Sequence, residues 1–367
     1  MSPLSYYGAF YFLFASLLFV AYRYRALEQI CRILVWLLLT LFSGLRVGVG
    51  RDYMVYVDVY TNVFSPTNQY IEPLWSVINP VFRHFDVPLH FWLMAIAGLT
   101  YFFIFYSFEK WRIHWIGGIL CYVLIYKGFF ESMNTIRQTL ASAIVFAGAY
   151  HLLERRYWRF IPWVIVGFLL HSSAIIGGGL LILCRWRWSP RLLYVGLLVS
   201  LLTGLYLFPS LVELLKELSL GKYALYLEGD FPTEATTGLY RVFLCAFAVF
   251  LIRSLGWPSV QTSERLKFYT QMMIFAIFIY NALYIFEPGV RLMLYPFTAV
   301  FFIFTLYVER LRGQKLWFAL GFLLGLITFS FKTVLDPKEP YASYQTVFDQ
   351  SLPLPDVPRA IESTISD

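Results

Sequence analysis

Apolar runs close to twenty residues long, separated by short polar breaks, recur along the whole chain. They fall at 5–22, 29–45, 89–108, 113–130, 136–153, 190–208, 239–254, 268–286, 291–308 and 315–332. Runs near this length suit helices that cross a hydrocarbon core of ~30 Å. The pattern predicts an all-α, polytopic integral membrane bundle of about 10 full spans. One further apolar stretch, 160–184, fits no single span. His171-Ser172-Ser173 divides it into arms of about 11 or 12 residues, roughly 17 Å of helix each. A re-entrant or broken helix pair with His171 at its tip is predicted; two short spans, bringing the total to about 12, are the other reading.

The polar remainder sets the organisation. Residues 1–332 form a single transmembrane domain with two larger outer loops, 46–88 and 209–238. A polar, proline-containing tail, 333–367, follows and is expected to lie outside and to be partly disordered. No internal repeat and no soluble domain is evident.

Composition agrees with the pattern: 59% of residues are hydrophobic and only 14% charged, and the mean hydropathy is +0.64. The formal charge of +7 suggests nucleic acid at first sight. Its distribution argues otherwise. Arg23 and Arg25, Lys110 and Arg112, Arg155, Arg156 and Arg159, Arg253, Arg265 and Lys267, and Arg310, Arg312 and Lys315 fall in loops on one side, which is therefore cytoplasmic. The basic excess is topological, no nucleic-acid partner is expected, and both termini lie outside. The first run lacks a basic flank and a cleavage site, so it is read as a retained span. Cys31, Cys121, Cys184 and Cys245 lie in or beside apolar runs without metal-ligand spacing and are read as small core residues.

Charges that topology does not demand gather on the outer side. The stretch GLRVGVGRDYMVYVDVY, 44–60, brings Arg46, Arg51 and Asp52 together with three glycines and regularly placed tyrosines. Glu72 follows, then Glu131 and Arg137 at the entry to a span, His171, Arg241, and Arg291 after Pro288-Gly289. Arg137, Arg241 and Arg291 lie near the start of inward-running helices, where the helix end is already positive. Such cations make sense if an anion is shared between helix end and guanidinium. Interfacial anchoring is the plainer reading of each arginine alone. There is no P-loop, no H-E-x-x-H, no G-x-S-x-G and no D-x-D, so no metal site and no cofactor is expected.

Taken in order, these segments resemble the EpsG-type, Wzy-like polysaccharide polymerases. The resemblance rests on Arg46, Gly50, Asp52, Tyr53 and Tyr56; Glu72-Pro73; Asn134, Arg137, Gln138 and Ala141; His171 to Ile176; Lys222, Tyr223 and Tyr226; and Arg291 with Tyr295. Arg51 stands where a small polar residue is expected, and Arg241 has no clear place in the pattern. The resemblance implies a GT-C-like membrane glycosyltransferase of the bacterial inner membrane, its active site facing the periplasm or exterior. It would move a glycan from undecaprenyl pyrophosphate to a sugar hydroxyl of another lipid-linked repeat unit, as in O-antigen or exopolysaccharide synthesis. Expected partners are those lipid-linked oligosaccharides, membrane lipids and a chain-length regulator.

The chemistry needs cations for the departing pyrophosphate, which suits Arg46, Arg51, Arg137, Arg241 and Arg291 meeting in one pocket. It needs a base for the acceptor hydroxyl, which suits Glu72 or His171, then Asp52. Tyr56, Tyr223, Tyr226, Glu131 and Gln138 are candidates for sugar contacts. Two other classes fit the same features: a flippase for the lipid-linked sugar, and a membrane acyltransferase that decorates the glycan. The single broken helix pair argues against the first, and the outer position of His171 against the second.

Overall fold

The computed structural model describes residues 3–61, 72–207, 209, 236–336, 341–342 and 344–349. Among them the chain is almost wholly helical, with one two-stranded antiparallel sheet. Seven helices among the described residues are long and apolar enough to cross a membrane: Ser5–Arg23, Arg25–Gly44, Leu89–Lys110, Pro190–Leu207, Glu264–Leu283, Pro288–Arg310 and Gln314–Leu335. Three shorter apolar helices accompany them. The all-α polytopic class expected from the pattern is what the chain adopts.

The number of long spans is smaller than the apolar runs imply: 113–130 and 136–153 are broken, and 239–254 lies in an unbroken helix, Thr236–Ser254, that is not among the seven. In the run 113–130 the first helix covers only Trp115–Leu124. Ile125 then turns extended (φ −96°, ψ 123°), the Gly128 amide donates to the Ile125 carbonyl, and a new helix begins at Phe129. The stretch 160–184 is two helices, Tyr157–Leu170 and Ala174–Leu183, interrupted where expected, at an extended His171 (φ −158°, ψ 121°). Segment 46–88, expected as an outer loop, carries two helices of its own, and the last long helix ends at Leu335, three residues past the expected border.

The chain divides into two compact units. The first comprises 1–102, 130–140 and 331–367. It contains α1 (Pro3–Arg23), α2 (Glu28–Gly44), strand β1 (Arg46–Val47), α3 (Tyr53–Thr61), α4 (Pro73–His84) and most of α5 (Leu89–Lys110). It also holds most of α6 (Phe129–Asn134), the first turn of α7 (Ile136–Gly148), and strand β2 (Gln345–Thr346). The Tyr101 hydroxyl joins Ser43 of α2 at 2.5 Å and Ser132 of α6 at 3.0 Å, tying three helices together. Trp92 packs on Tyr60 and Trp75, and its ring N–H donates to Asn79 Oδ1 at 3.0 Å, fixing α3 and α4 on α5.

Part of the tail is folded into this unit. Arg46 pairs with Thr346 and Val47 with Gln345, and the Val347 amide donates to the Leu45 carbonyl at 3.0 Å. Tyr344 stacks on Phe42 at 4.2 Å, and the Tyr341 hydroxyl donates to the Phe130 carbonyl at 3.3 Å. Residues 341–342 and 344–349 thus form a strap over the loop that opens at Arg46.

The second unit comprises 103–129 and 141–330. Its core is aromatic: Phe302 lies 4.7 Å from Phe108 and 4.8 Å from Phe146, and Tyr269 5.1 Å from Trp111. Ser189 and Ser263 cap the helices that begin at Pro190 and Glu264, each accepting the amide three residues on at 3.3 Å.

Candidate functional site

In the first unit the polar residues collect around the start of α7. Thr135 interrupts the helix between α6 and α7, leaving Arg137 in the first turn of α7. The Arg137 guanidinium donates through Nη1 to Glu72 Oε2 at 2.6 Å, and its carbon lies 5.9 Å from the centre of the Tyr56 ring. Glu72 precedes Pro73, which holds it extended (φ −60°, ψ 147°) at the N-cap of α4. Its side chain makes no cap bond there; it reaches across to Arg137. Sixty-five residues separate the pair, so tertiary structure alone creates it.

The glycine-rich loop is fixed to the same place. Gly48 and Gly50 have φ of 69° and 106°, values that suit glycine. A Cβ on Gly50 would stand 2.8 Å from the Met133 carbonyl oxygen, so the loop backbone lies directly against α6. The Asp52 amide donates to Asn134 Oδ1 at 3.2 Å. Asp52 is half-buried and Arg51 exposed at the start of α3.

Arg46 has a different setting from the one expected. It is 1% exposed. Nε donates to Val49 O at 3.1 Å, Nη2 to Met133 O at 2.8 Å, and Nη1 to Ser43 O. Burial lowers its pKa from the usual arginine value, and surrounding tyrosines oppose the shift. The guanidinium fastens loop, α2 and α6 through carbonyl oxygens; it presents no open face. Tyr56, Glu131 and Gln138, expected to meet sugar, are all buried, and Glu131 Oε1 accepts from Thr135 Oγ1 at 3.1 Å.

In the second unit, His171, Ser173 and Tyr295 form a chain. His171 Nδ1 lies 2.7 Å from Ser173 Oγ, and Ser173 Oγ 2.9 Å from the Tyr295 hydroxyl. The Ser173 amide also points at Nδ1, at 3.4 Å. A Cβ on Gly177 would fall 2.3 Å from Tyr295 Cγ, so this glycine lets the tyrosine ring seat. Arg291 is half-buried and opens a short 3-10 turn one turn before Tyr295.

Arg241 also finds partners the sequence did not suggest. It lies in the helix Thr236–Ser254, and its Nη2 donates to Leu201 O at 3.2 Å and Asn281 O at 3.1 Å. The Leu201 carbonyl lies where the α-helical part of Pro190–Leu207 passes into a π turn, Thr203–Leu207, and the Asn281 carbonyl in the closing turn of Glu264–Leu283. A cation at a helix C-terminus is favourable, which applies to the second carbonyl. The Tyr284 ring covers the guanidinium at 4.1 Å. The expected pyrophosphate cations therefore divide: Arg46, Arg51 and Arg137 stand in the first unit, Arg241 and Arg291 in the second. Tyr223 and Tyr226 lie outside the described residues.

The strap was missed in the sequence. Its signal was present in Tyr341 and Tyr344, two aromatics three apart in an otherwise polar tail.

An all-α membrane protein whose ion pair and glycine-rich loop meet at a helix start defines the class. The chain belongs to the EpsG family, whose family model matches residues 29–346. That match runs through β2, so the strand of the strap lies inside the family region. No curated protein and no solved structure matches. Family membership supports a polysaccharide-polymerase role in general terms.

Proposed function

We propose that the protein polymerises a polysaccharide on the outer face of a bacterial inner membrane. It transfers a growing glycan from undecaprenyl pyrophosphate to a sugar hydroxyl of a second lipid-linked repeat unit. The observation that carries this reading is the Glu72–Arg137 pair at the start of α7, beside Asp52 and Tyr56. It sets a carboxylate suited to take a proton beside a guanidinium suited to hold a phosphate oxygen.

The acceptor hydroxyl gives its proton to the Glu72 carboxylate while its oxygen bonds the anomeric carbon. The bond from that carbon to the pyrophosphate oxygen breaks, and its electron pair leaves with the lipid pyrophosphate. Arg137, with Arg51 at the head of α3, holds the charge that develops there. Glu72 then returns its proton to water. Arg46, bound to three carbonyls, supports the loop and does not touch substrate in this scheme.

The test is genetic. Deleting the gene in its host should leave single repeat units at the surface without a ladder of longer chains on a gel. Complementation with the wild type restores the ladder; Arg137→Ala, present at equal level in the membrane, does not. A deletion that exports no repeat units would indicate a flippase, and an intact ladder with altered decoration an acyltransferase. A full ladder from Arg137→Ala would remove this site from the reaction.

A further inference from the structure

We propose that the Glu72–Arg137 pair is opened by the substrate: the donor's pyrophosphate displaces the carboxylate from the guanidinium and thereby releases the base. The proposal rests on the reading above and adds an order of events, with donor binding preceding activation of the acceptor.

Four observations lead to it. The contact is a single N–H···O bond of 2.6 Å, so the guanidinium fork is engaged through one of its donors in this pair. Arg137 Nε is buried and makes no hydrogen bond among the described residues. The side chains are 20% and 14% exposed, sheltered enough for charge to matter and open enough for a ligand to arrive. Glu72 holds an N-cap position yet makes no cap bond with its side chain, so its reach toward Arg137 is not dictated by its own helix.

A carboxylate carries one negative charge, whereas a pyrophosphate ester carries more and presents several oxygens to a planar fork. The pyrophosphate is the stronger competitor for Arg137, particularly where the helix start also favours an anion. Closed, the pair occupies the Glu72 oxygen that would face the acceptor. Open, it turns the carboxylate oxygen that Arg137 held toward the acceptor, beside a filled donor site. The proton then moves from acceptor hydroxyl to Glu72 as described, and the pair re-forms when the lipid pyrophosphate departs.

The test uses the purified full-length protein in detergent, with inorganic pyrophosphate as probe and binding read by calorimetry. The wild type should bind it, and Arg137→Ala should weaken binding about tenfold or more. Glu72→Gln, which removes the competitor but keeps the shape, should bind about tenfold more tightly than wild type while losing chain extension. In an Arg137→Ala background, Glu72→Gln should give no such gain, which separates release of the fork from a general loss of negative charge. Each variant should elute as the same monodisperse species.

Equal or weaker binding by Glu72→Gln, no measurable binding by either protein, or the same gain in both backgrounds would overturn the displacement. The site itself would survive the first and third results if Arg137→Ala still abolished the polymer ladder.

Discussion

The Tyr6 hydroxyl, in the first helix, donates to the Asp349 carboxylate at 2.7 and 2.9 Å across 343 residues of chain. The same carboxylate accepts from the Thr346 amide and hydroxyl, each at 2.9 Å. Together these bonds hold the Asp349 pKa down at about 2, with Tyr6 the largest contributor. A carboxyl depressed in the folded state stabilises above its unfolded value and loses that contribution as pH falls toward the folded one. The strap should therefore hold at pH 4 and loosen near pH 2. Asp349→Asn should loosen it at neutral pH. Protection of the Val347 amide in hydrogen exchange, corrected for intrinsic rate, measures both.

Gly50 admits no side chain. Alanine there would adopt φ near 106° and push its Cβ to 2.8 Å from the Met133 oxygen. The cost is of order 1–3 kcal/mol. Gly50→Ala should lower the midpoint of thermal unfolding in detergent and shorten or abolish the polymer ladder.

Tyr295 depends on Gly177 for its seat and on Ser173 for its hydrogen bond. Tyr295→Phe keeps the ring and removes the bond to Ser173, worth about 1 kcal/mol. Gly177→Ala displaces the ring itself. The alanine variant should reduce chain extension more than the phenylalanine variant, compared on gels at matched protein level.

Arg241 joins two helices through one nitrogen, at the entry to a π turn in one and in the closing turn of the other. Arg241→Met should cost about 1–3 kcal/mol, since two carbonyls lose a charged donor. Arg241→Lys keeps a charge near both carbonyls and should fall between methionine and wild type. Thermal unfolding of the purified variants provides the comparison.

Hydrophobic periodicity made the helices legible, and arm length marked the interruption at His171, because a membrane imposes a minimum span. It did not disclose the interruption at Ile125–Gly128, where the residues remain apolar on both sides and only backbone direction changes. The ordered motifs led to the family. The partners of Arg46 and Arg241 were hidden for a simple reason: they are carbonyl oxygens, and every residue has one. Read as lone cations, both arginines seemed to need an anion from outside. Glu72 and Arg137 were each singled out, but no spacing rule joins residues 65 apart. The strap was obscured by its polar neighbours, since its attachment relies on backbone pairing and two tyrosines.

The pairing of β1 with β2 has a consequence for biogenesis. A ribosome delivers residue 46 to the membrane some three hundred positions before residue 346 exists. Until translation reaches that point, the edge of β1 has no mate, whatever helices have already inserted. A nascent or prematurely stopped chain would thus carry every arginine of the glycine-rich loop and still lack the strand that sets its course.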